Sequence, residues 1–180
     1  IYDKITKKQR VRIDQTNLND LKDQAQKMNC PLIQEYDFNK DHQNPNLKIE
    51  LRPNTMIRDY QENALSKMFS NGRARSGIIV LPCGAGKTLT GISAACTIKK
   101  SVLVVCTTQV SSEQWKREIL KWAHINPNDI LIFNAKVANR AHESRQIQEI
   151  INLDPSIPAH SEKLKSKTLI LICTYSMLCF

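Results

Sequence analysis

No stretch of this 180-residue chain approaches the roughly 18 consecutive apolar residues of a membrane-spanning helix. Its six cysteines, Cys30, Cys83, Cys96, Cys106, Cys173 and Cys179, include no Cys-x-x-Cys pair and no histidine at metal-ligand spacing. Structural zinc is therefore not expected. Cys83, Cys96, Cys106 and Cys173 sit in apolar segments, where a free thiol behaves as a small hydrophobe, and a reducing cytosol or nucleus fits that usage. The chain opens on Ile1-Tyr2-Asp3-Lys4, with neither Met nor a signal-peptide pattern, so a fragment boundary is expected there. Acidic residues are in deficit. The 26 Lys plus Arg outnumber the 17 Asp plus Glu, and the formal charge is +9. That balance favours a polyanionic partner, nucleic acid ahead of a membrane surface. A hydrophobic fraction of 41% is compatible with one packed core, and no internal repeat is present.

Residues 1–50 read as the end of an upstream domain plus a linker. Arg10-Val11-Arg12-Ile13 alternates as a strand does. Leu18, Leu21, Ala25 and Met28 mark one helical face with Asn17 as N-cap. Pro31, Asn44-Pro45-Asn46 and Pro53 punctuate a loop-rich connector, with a short strand at Leu47–Leu51. From residue 51 to 180 the rhythm is that of an α/β domain. Helices are predicted at Arg58–Phe69, Lys87–Lys99 and Ser112–Trp122. Strands are predicted at Gly77–Leu81, Ser101–Cys106, Ile130–Phe133 and Thr168–Thr174. Their nearly continuous apolar runs are those of buried parallel strands, which predicts a three-layer α/β fold with a mainly parallel sheet. Residues 134–167 interrupt the rhythm and predict a mobile surface insertion, with a crossover helix near Arg140–Ile151.

The candidate site begins at Leu81-Pro82-Cys83-Gly84-Ala85-Gly86-Lys87-Thr88. An apolar run, a glycine-rich loop, Lys-Thr and a helix are the parts of a phosphate-binding P-loop. Gly84 and Gly86 let backbone N–H groups turn inward, and the helix beginning near Lys87 points its positive end at an anion. Lys87 is expected to reach the β- and γ-phosphates of ATP, and the Thr88 hydroxyl to ligate Mg²⁺. Leu81 stands where the strict pattern has its first glycine.

Upstream, Arg58-Asp59-Tyr60-Gln61 opens a helix. The Gln61 amide can pair with both N6 and N7 of adenine and so select ATP over GTP, with Arg58 nearby. After the second strand, Thr107-Thr108-Gln109 place small polar groups at the carboxyl end of a parallel strand, where open α/β sheets bind ligands. Thr107, Gln109 and Thr174 are candidates for contacts to a duplex DNA backbone. Ser111 with Gln114 fits a capping box at the start of the same helix. Trp115 and Trp122 fall on one helical face and fit helix packing.

Taken together, these segments resemble superfamily 2 helicases and translocases, and among them the xeroderma pigmentosum group B family. The likeness rests on Cys30-Pro31-Leu32-Ile33-Gln34-Glu35-Tyr36-Asp37-Phe38, Asn71-Gly72-Arg73-Ala74-Arg75-Ser76-Gly77, the loop at 81–88, Ala94-Ala95-Cys96-Thr97, Gln114-Trp115 and Thr174-Tyr175-Ser176-Met177-Leu178. It runs nearly unbroken from Asn29 to Ile132 and resumes at Leu169. The resemblance implies a RecA-like ATP-binding domain and an ATP-dependent double-stranded DNA translocase. It also implies a nuclear location and partners among the other subunits of transcription factor IIH (TFIIH). Two features depart from the family: Asp59 stands where it usually has proline, and the insertion before Leu169 is longer. The resemblance places the Asp-Glu-x-His box beyond Phe180 and an arginine finger on a second motor domain. Residues 1–180 alone are thus expected to bind ATP weakly and to hydrolyse essentially none. A non-catalytic nucleotide- or DNA-binding module and a P-loop small-molecule kinase stay open as alternatives.

Overall fold

The computed structural model describes residues 2–3, 8–9, 17–30, 32, 35–133 and 167–178. The strand expected at Arg10–Ile13, residues 134–166 of the expected insertion and the crossover helix near Arg140–Ile151 lie outside them. Packing divides the chain into two units, Ile1–Glu35 and Tyr36–Phe180.

In the first unit, helix α1 spans Leu18–Lys27, and the side chain of Asn17 makes no capping bond. Its carboxyl end is closed instead. Asn29 takes a left-handed φ of 55°. The Asn29 N–H then donates to the Gln26 carbonyl at 3.0 Å, and the Cys30 N–H to that of Ala25 at 2.9 Å. Asparagine tolerates this φ better than most residues, and the paired bonds satisfy carbonyls that the helix leaves open. Leu21 and Ala25 are half-buried, whereas Met28 is exposed.

The second unit is built mainly from strands β1 (Glu50–Leu51), β2 (Val102–Cys106), β3 (Ala123–His124), β4 (Ile130–Phe133) and β5 (Ile170–Thr174). Its helices are α2 (Asp59–Met68), α3 (Lys87–Ile98), α4 (Gln109–Trp122) and α5 (Tyr175–Leu178). Strands β2, β5 and β4 form a parallel sheet in that order, so the last strand in sequence lies in the middle. Val102 and Ile130 both register with Ile170. Flanked on both sides, β5 buries Ile172 and Cys173 completely. Helix α4 packs on all three strands and against α3. Antiparallel to each other, β1 and β3 bring Leu51 opposite Ala123. Leu47 and Ile49, just before β1, enter the same core as Ile92, Ile119, Ile130 and Ile170. Residues 36–50, which the sequence assigns to a linker, thus pack with the unit that follows them.

The expected strand at Gly77–Leu81 is not formed. Residues 76–82 have no regular secondary structure, and Ile78 and Val80 are 91% and 86% exposed. A strand needs a neighbour to take its N–H and C=O groups. Among the described residues no strand pairs with this segment, and β2 has a strand partner on one side only. Its Leu103 is correspondingly exposed. Among the described residues no helix is long and apolar enough to cross a membrane.

Candidate functional site

Two glycines shape the turn into α3. Gly84 and Gly86 have φ values of 76° and 78°, a region that costs a side-chain-bearing residue about 1–2 kcal/mol. Gly86 is the N-cap, and Lys87 is the first residue of the 12-residue helix. The loop closes on itself through the Ala85 N–H, which donates to the Pro82 carbonyl at 3.3 Å. Lys87 Nζ folds back and donates to the carbonyls of Leu81 and Pro82 at 3.2 and 3.1 Å. An arriving phosphate would have to draw the ammonium off these two weak acceptors, and a full negative charge does that readily. Thr88 is half-buried one residue further on, and Cys83 is exposed rather than packed among apolar neighbours. The left-handed glycines, the helix end and the Lys-Thr pair fit a nucleoside triphosphate with Mg²⁺.

Helix α2 delivers the second half of the site. Its N-cap, Arg58, has no side-chain acceptor, so only the reverse half of a capping box forms: Arg58 N–H donates to Gln61 Oε1 at 3.0 Å. Gln61 is 2% exposed. Its Nε2 donates to the Ala85 carbonyl at 2.9 Å and to that of Gly86 at 3.3 Å. Tyr60 adds a hydroxyl bond to the Ala85 carbonyl at 3.2 Å, and Arg58 Nη1 donates to that hydroxyl at 3.3 Å. Gln61 is therefore bonded to the backbone of the glycine loop, and Arg58 is linked to it through the Tyr60 hydroxyl, but the Gln61 amide faces the loop backbone. Sequence reasoning gave Tyr60 and Thr90 no role. Thr90 is buried and returns its hydroxyl to the Gly86 carbonyl at 3.2 Å. A Tyr-Gln pair on one turn of helix was the available signal for Tyr60.

The third group lies at the carboxyl edge of the parallel sheet. Cys106 registers with Thr174, so Thr107 directly follows the residue opposite Thr174. Thr107 is exposed and Gln109 half-buried. Thr174 is 4% exposed, with its hydroxyl 3.0 Å from that of Ser176, so it does not present itself as the other two do. The cap of α4 differs from the expected capping box. Thr108 is the N-cap and accepts from the Ser111 N–H at 3.2 Å, so the helix begins three residues before Ser112. Burial pushes the Cys96 thiol up to about 11 and raises those of Cys106 and Cys173, which keeps all three protonated core groups.

Residues 54–178 match the family model described as "Type III restriction enzyme, res subunit". Several curated proteins named "General transcription and DNA repair factor IIH helicase/translocase subunit XPB" or "XPB/SSL2" are similar to this chain. That of Schizosaccharomyces pombe is 55% identical over 130 residues, covering 72% of this chain and 16% of the relative. That of Saccharomyces cerevisiae is 47% identical over 152 residues, covering 73% and 18%. That of Dictyostelium discoideum is 54% identical over 133 residues, covering 72% and 17%. The chain thus spans less than a fifth of the length of these relatives.

Proposed function

Because this chain belongs to the type III restriction enzyme res-subunit family, we propose that it is the front part of the first motor domain of an ATP-dependent DNA helicase or double-stranded DNA translocase. Its α/β architecture with a parallel sheet is that of a RecA-like domain. In this reading the motor part would run from residue 51 onward, and the family match over residues 54–178 supports it. The intact protein would act in transcription initiation and nucleotide excision repair, in the nucleus and among factor IIH subunits. The support is the naming of relatives 47–55% identical to this chain.

The observation that carries the reading is the turn into α3. Two left-handed glycines deliver the chain to a helix that opens on Lys87 and Thr88. Lys87 would hold the β- and γ-phosphates and Thr88 the Mg²⁺, while the 81–86 backbone cradles phosphate. Bound Mg²⁺ would neutralise charge on the phosphates. Gln61 would read the adenine by giving up a bond to the loop, with Arg58 beside it, and Thr107 and Gln109 would lie along the DNA backbone; Thr174, which is buried, would join them only once uncovered. Hydrolysis also needs a carboxylate to hold the metal and orient water. The ends of β4 and β5 offer Phe133 and Thr174 instead.

A titration with fluorescent ATP and Mg²⁺, run beside Lys87→Ala and with GTP as competitor, tests this reading. Saturable binding is expected that Lys87→Ala abolishes and GTP competes for poorly. Equal binding by wild type and Lys87→Ala would remove the phosphate loop from the account.

A further inference from the structure

Gln61 lies 24 residues from Ala85 in sequence, yet it is bonded to the backbone of the phosphate loop more fully than any other side chain of α2. We infer that Gln61 is a positioning residue for the phosphate-cradling backbone, holding the Ala85 and Gly86 peptides in the orientation that an anion needs. The inference rests on the nucleotide-site reading above and concerns how that site is kept ready.

The argument follows from the planarity of the peptide bond. In a trans peptide the carbonyl and the N–H of the next residue point in opposite directions. The Ala85 carbonyl accepts from Gln61 Nε2 and from the Tyr60 hydroxyl, which uses both of its lone pairs. Fixing it toward α2 aims the Gly86 N–H away from α2. The Gly86 carbonyl is held in turn by Gln61 Nε2, by the Thr90 hydroxyl at 3.2 Å and by the Thr90 N–H at 3.0 Å. That aims the Lys87 N–H in the opposite direction as well. These are the two N–H groups at the start of α3, where the helix end favours an anion.

Gln61 is itself held. Its Oε1 is anchored by the Arg58 N–H, and it is 2% exposed. The fit is close enough that a Cβ on Gly86 would stand 2.4 Å from Nε2. Both N–H bonds of the amide are spent on loop carbonyls. An adenine read through N6 and N7 would therefore have to take one of those bonds from the loop, so base and loop draw on the same donor group.

A ligand with phosphates and no base separates the two duties. Binding of Mg²⁺-tripolyphosphate and of Mg²⁺-ATP is measured by calorimetry on the full chain for wild type, Gln61→Ala and Tyr60→Phe, with thermal melts to establish that each variant is folded. Tripolyphosphate is expected to bind Gln61→Ala about tenfold more weakly than wild type, the scale of one lost buried hydrogen bond, and Tyr60→Phe about two- to threefold more weakly. If folded Gln61→Ala keeps wild-type affinity for tripolyphosphate while losing affinity for ATP, Gln61 serves the base alone and the positioning role is overturned. Should Gln61→Ala not fold, Gln61→Met, which keeps the side-chain length without the amide, takes its place. Wild-type protein that binds neither ligand, with Lys87→Ala unchanged from it, would refute the nucleotide-site reading itself and the positioning role with it.

Discussion

Lys100 and Asn44 are joined by a 2.6 Å bond from the Lys100 ammonium to the Asn44 carbonyl, and the same ammonium donates to the Asp41 carbonyl at 2.8 Å. Lys100 is 7% exposed and stands two residues past the end of α3. The Leu47 N–H adds a bond to the Lys99 carbonyl at 2.8 Å. Together these bonds fasten the 41–47 segment to the helix that starts at the phosphate loop. They also help explain why Leu47 and Ile49 reach the core.

Lys100→Met keeps most of the apolar stem and removes the donor. Two carbonyls lose a charged partner. Part of the cost is recovered because Asn44 is exposed and its carbonyl can turn to water. A loss of about 1–2 kcal/mol is expected. Urea unfolding followed by tryptophan fluorescence measures it, and an unchanged midpoint would mean that the strap carries no load.

Asp41 makes the same segment sensitive to acid. Its carboxylate accepts from the Asn44 side chain at 2.7 Å, from the Tyr36 hydroxyl, and from the N–H groups of Asn44 and Gln43 at 3.1 and 3.0 Å. The Asn44 side-chain bond leads these in holding the carboxyl well below its ordinary 3.8. A depressed folded value means that the stabilisation is complete above 3.8 and is lost as pH falls through that value toward the folded one. On the alkaline side, burial and the bond to Asp41 push the Tyr36 phenol up to about 12, so its share is lost as pH rises beyond its ordinary 10.0. The melting temperature of Asp41→Ala should lie below that of wild type from pH 5 to 8, and the gap should close below about pH 4. A gap that stays constant down to pH 2 would assign the effect to packing instead of to the charge.

The buried strands were legible because they are continuous apolar runs. Val102–Cys106, Ile130–Phe133 and Ile170–Thr174 appear within two residues of their expected bounds. The same reasoning misplaced Gly77–Leu81, whose Ile-Ile-Val-Leu run is equally apolar. A run reports what a strand would bury, and says nothing of whether a neighbour is there to pair with it. The tight turn into α3 was legible from Gly84 and Gly86, since left-handed φ values are written into residue type. The use of the Gln61 amide was not, because its acceptors are backbone carbonyls 24 and 25 residues away. Thr174 was chosen for its place at a strand end, and its burial follows from α5 beginning immediately after it.

Thr108 and Ser111 offer competing ways to start α4, and the structure favours Thr108. Its Oγ1 accepts from the Ser111 N–H at 3.2 Å and lies 2.9 Å from the Ser111 hydroxyl. Thr108→Ala should cost about 1 kcal/mol, and Ser111→Ala less than half of that. The helix packs on every strand of the parallel sheet, so the loss should appear in the global unfolding transition measured by circular dichroism. The reverse ranking of the two variants would restore Ser111 as the cap.

The two left-handed glycines of the loop differ in what surrounds them, and that difference separates backbone strain from a steric clash. A Cβ added to Gly84 meets nothing within 4 Å, whereas one added to Gly86 meets Gln61 Nε2 at 2.4 Å. Both substitutions force a side-chain-bearing residue to a φ near 77°, between the observed 76° and 78°, at a cost of about 1–2 kcal/mol. Gly84→Ala should pay little more than that in stability. Gly86→Ala must also displace the buried Gln61 amide, which then loses its bonds to the Ala85 and Gly86 carbonyls. A further loss of about 1–3 kcal/mol is expected. Because the displaced bonds orient the N–H groups at the start of α3, Gly86→Ala should also weaken Mg²⁺-tripolyphosphate more than Gly84→Ala does. Melting temperatures and calorimetric affinities for the two variants, measured side by side, give the comparison. Equal losses in both would show that the left-handed φ is the whole of the constraint and that Gln61 yields freely.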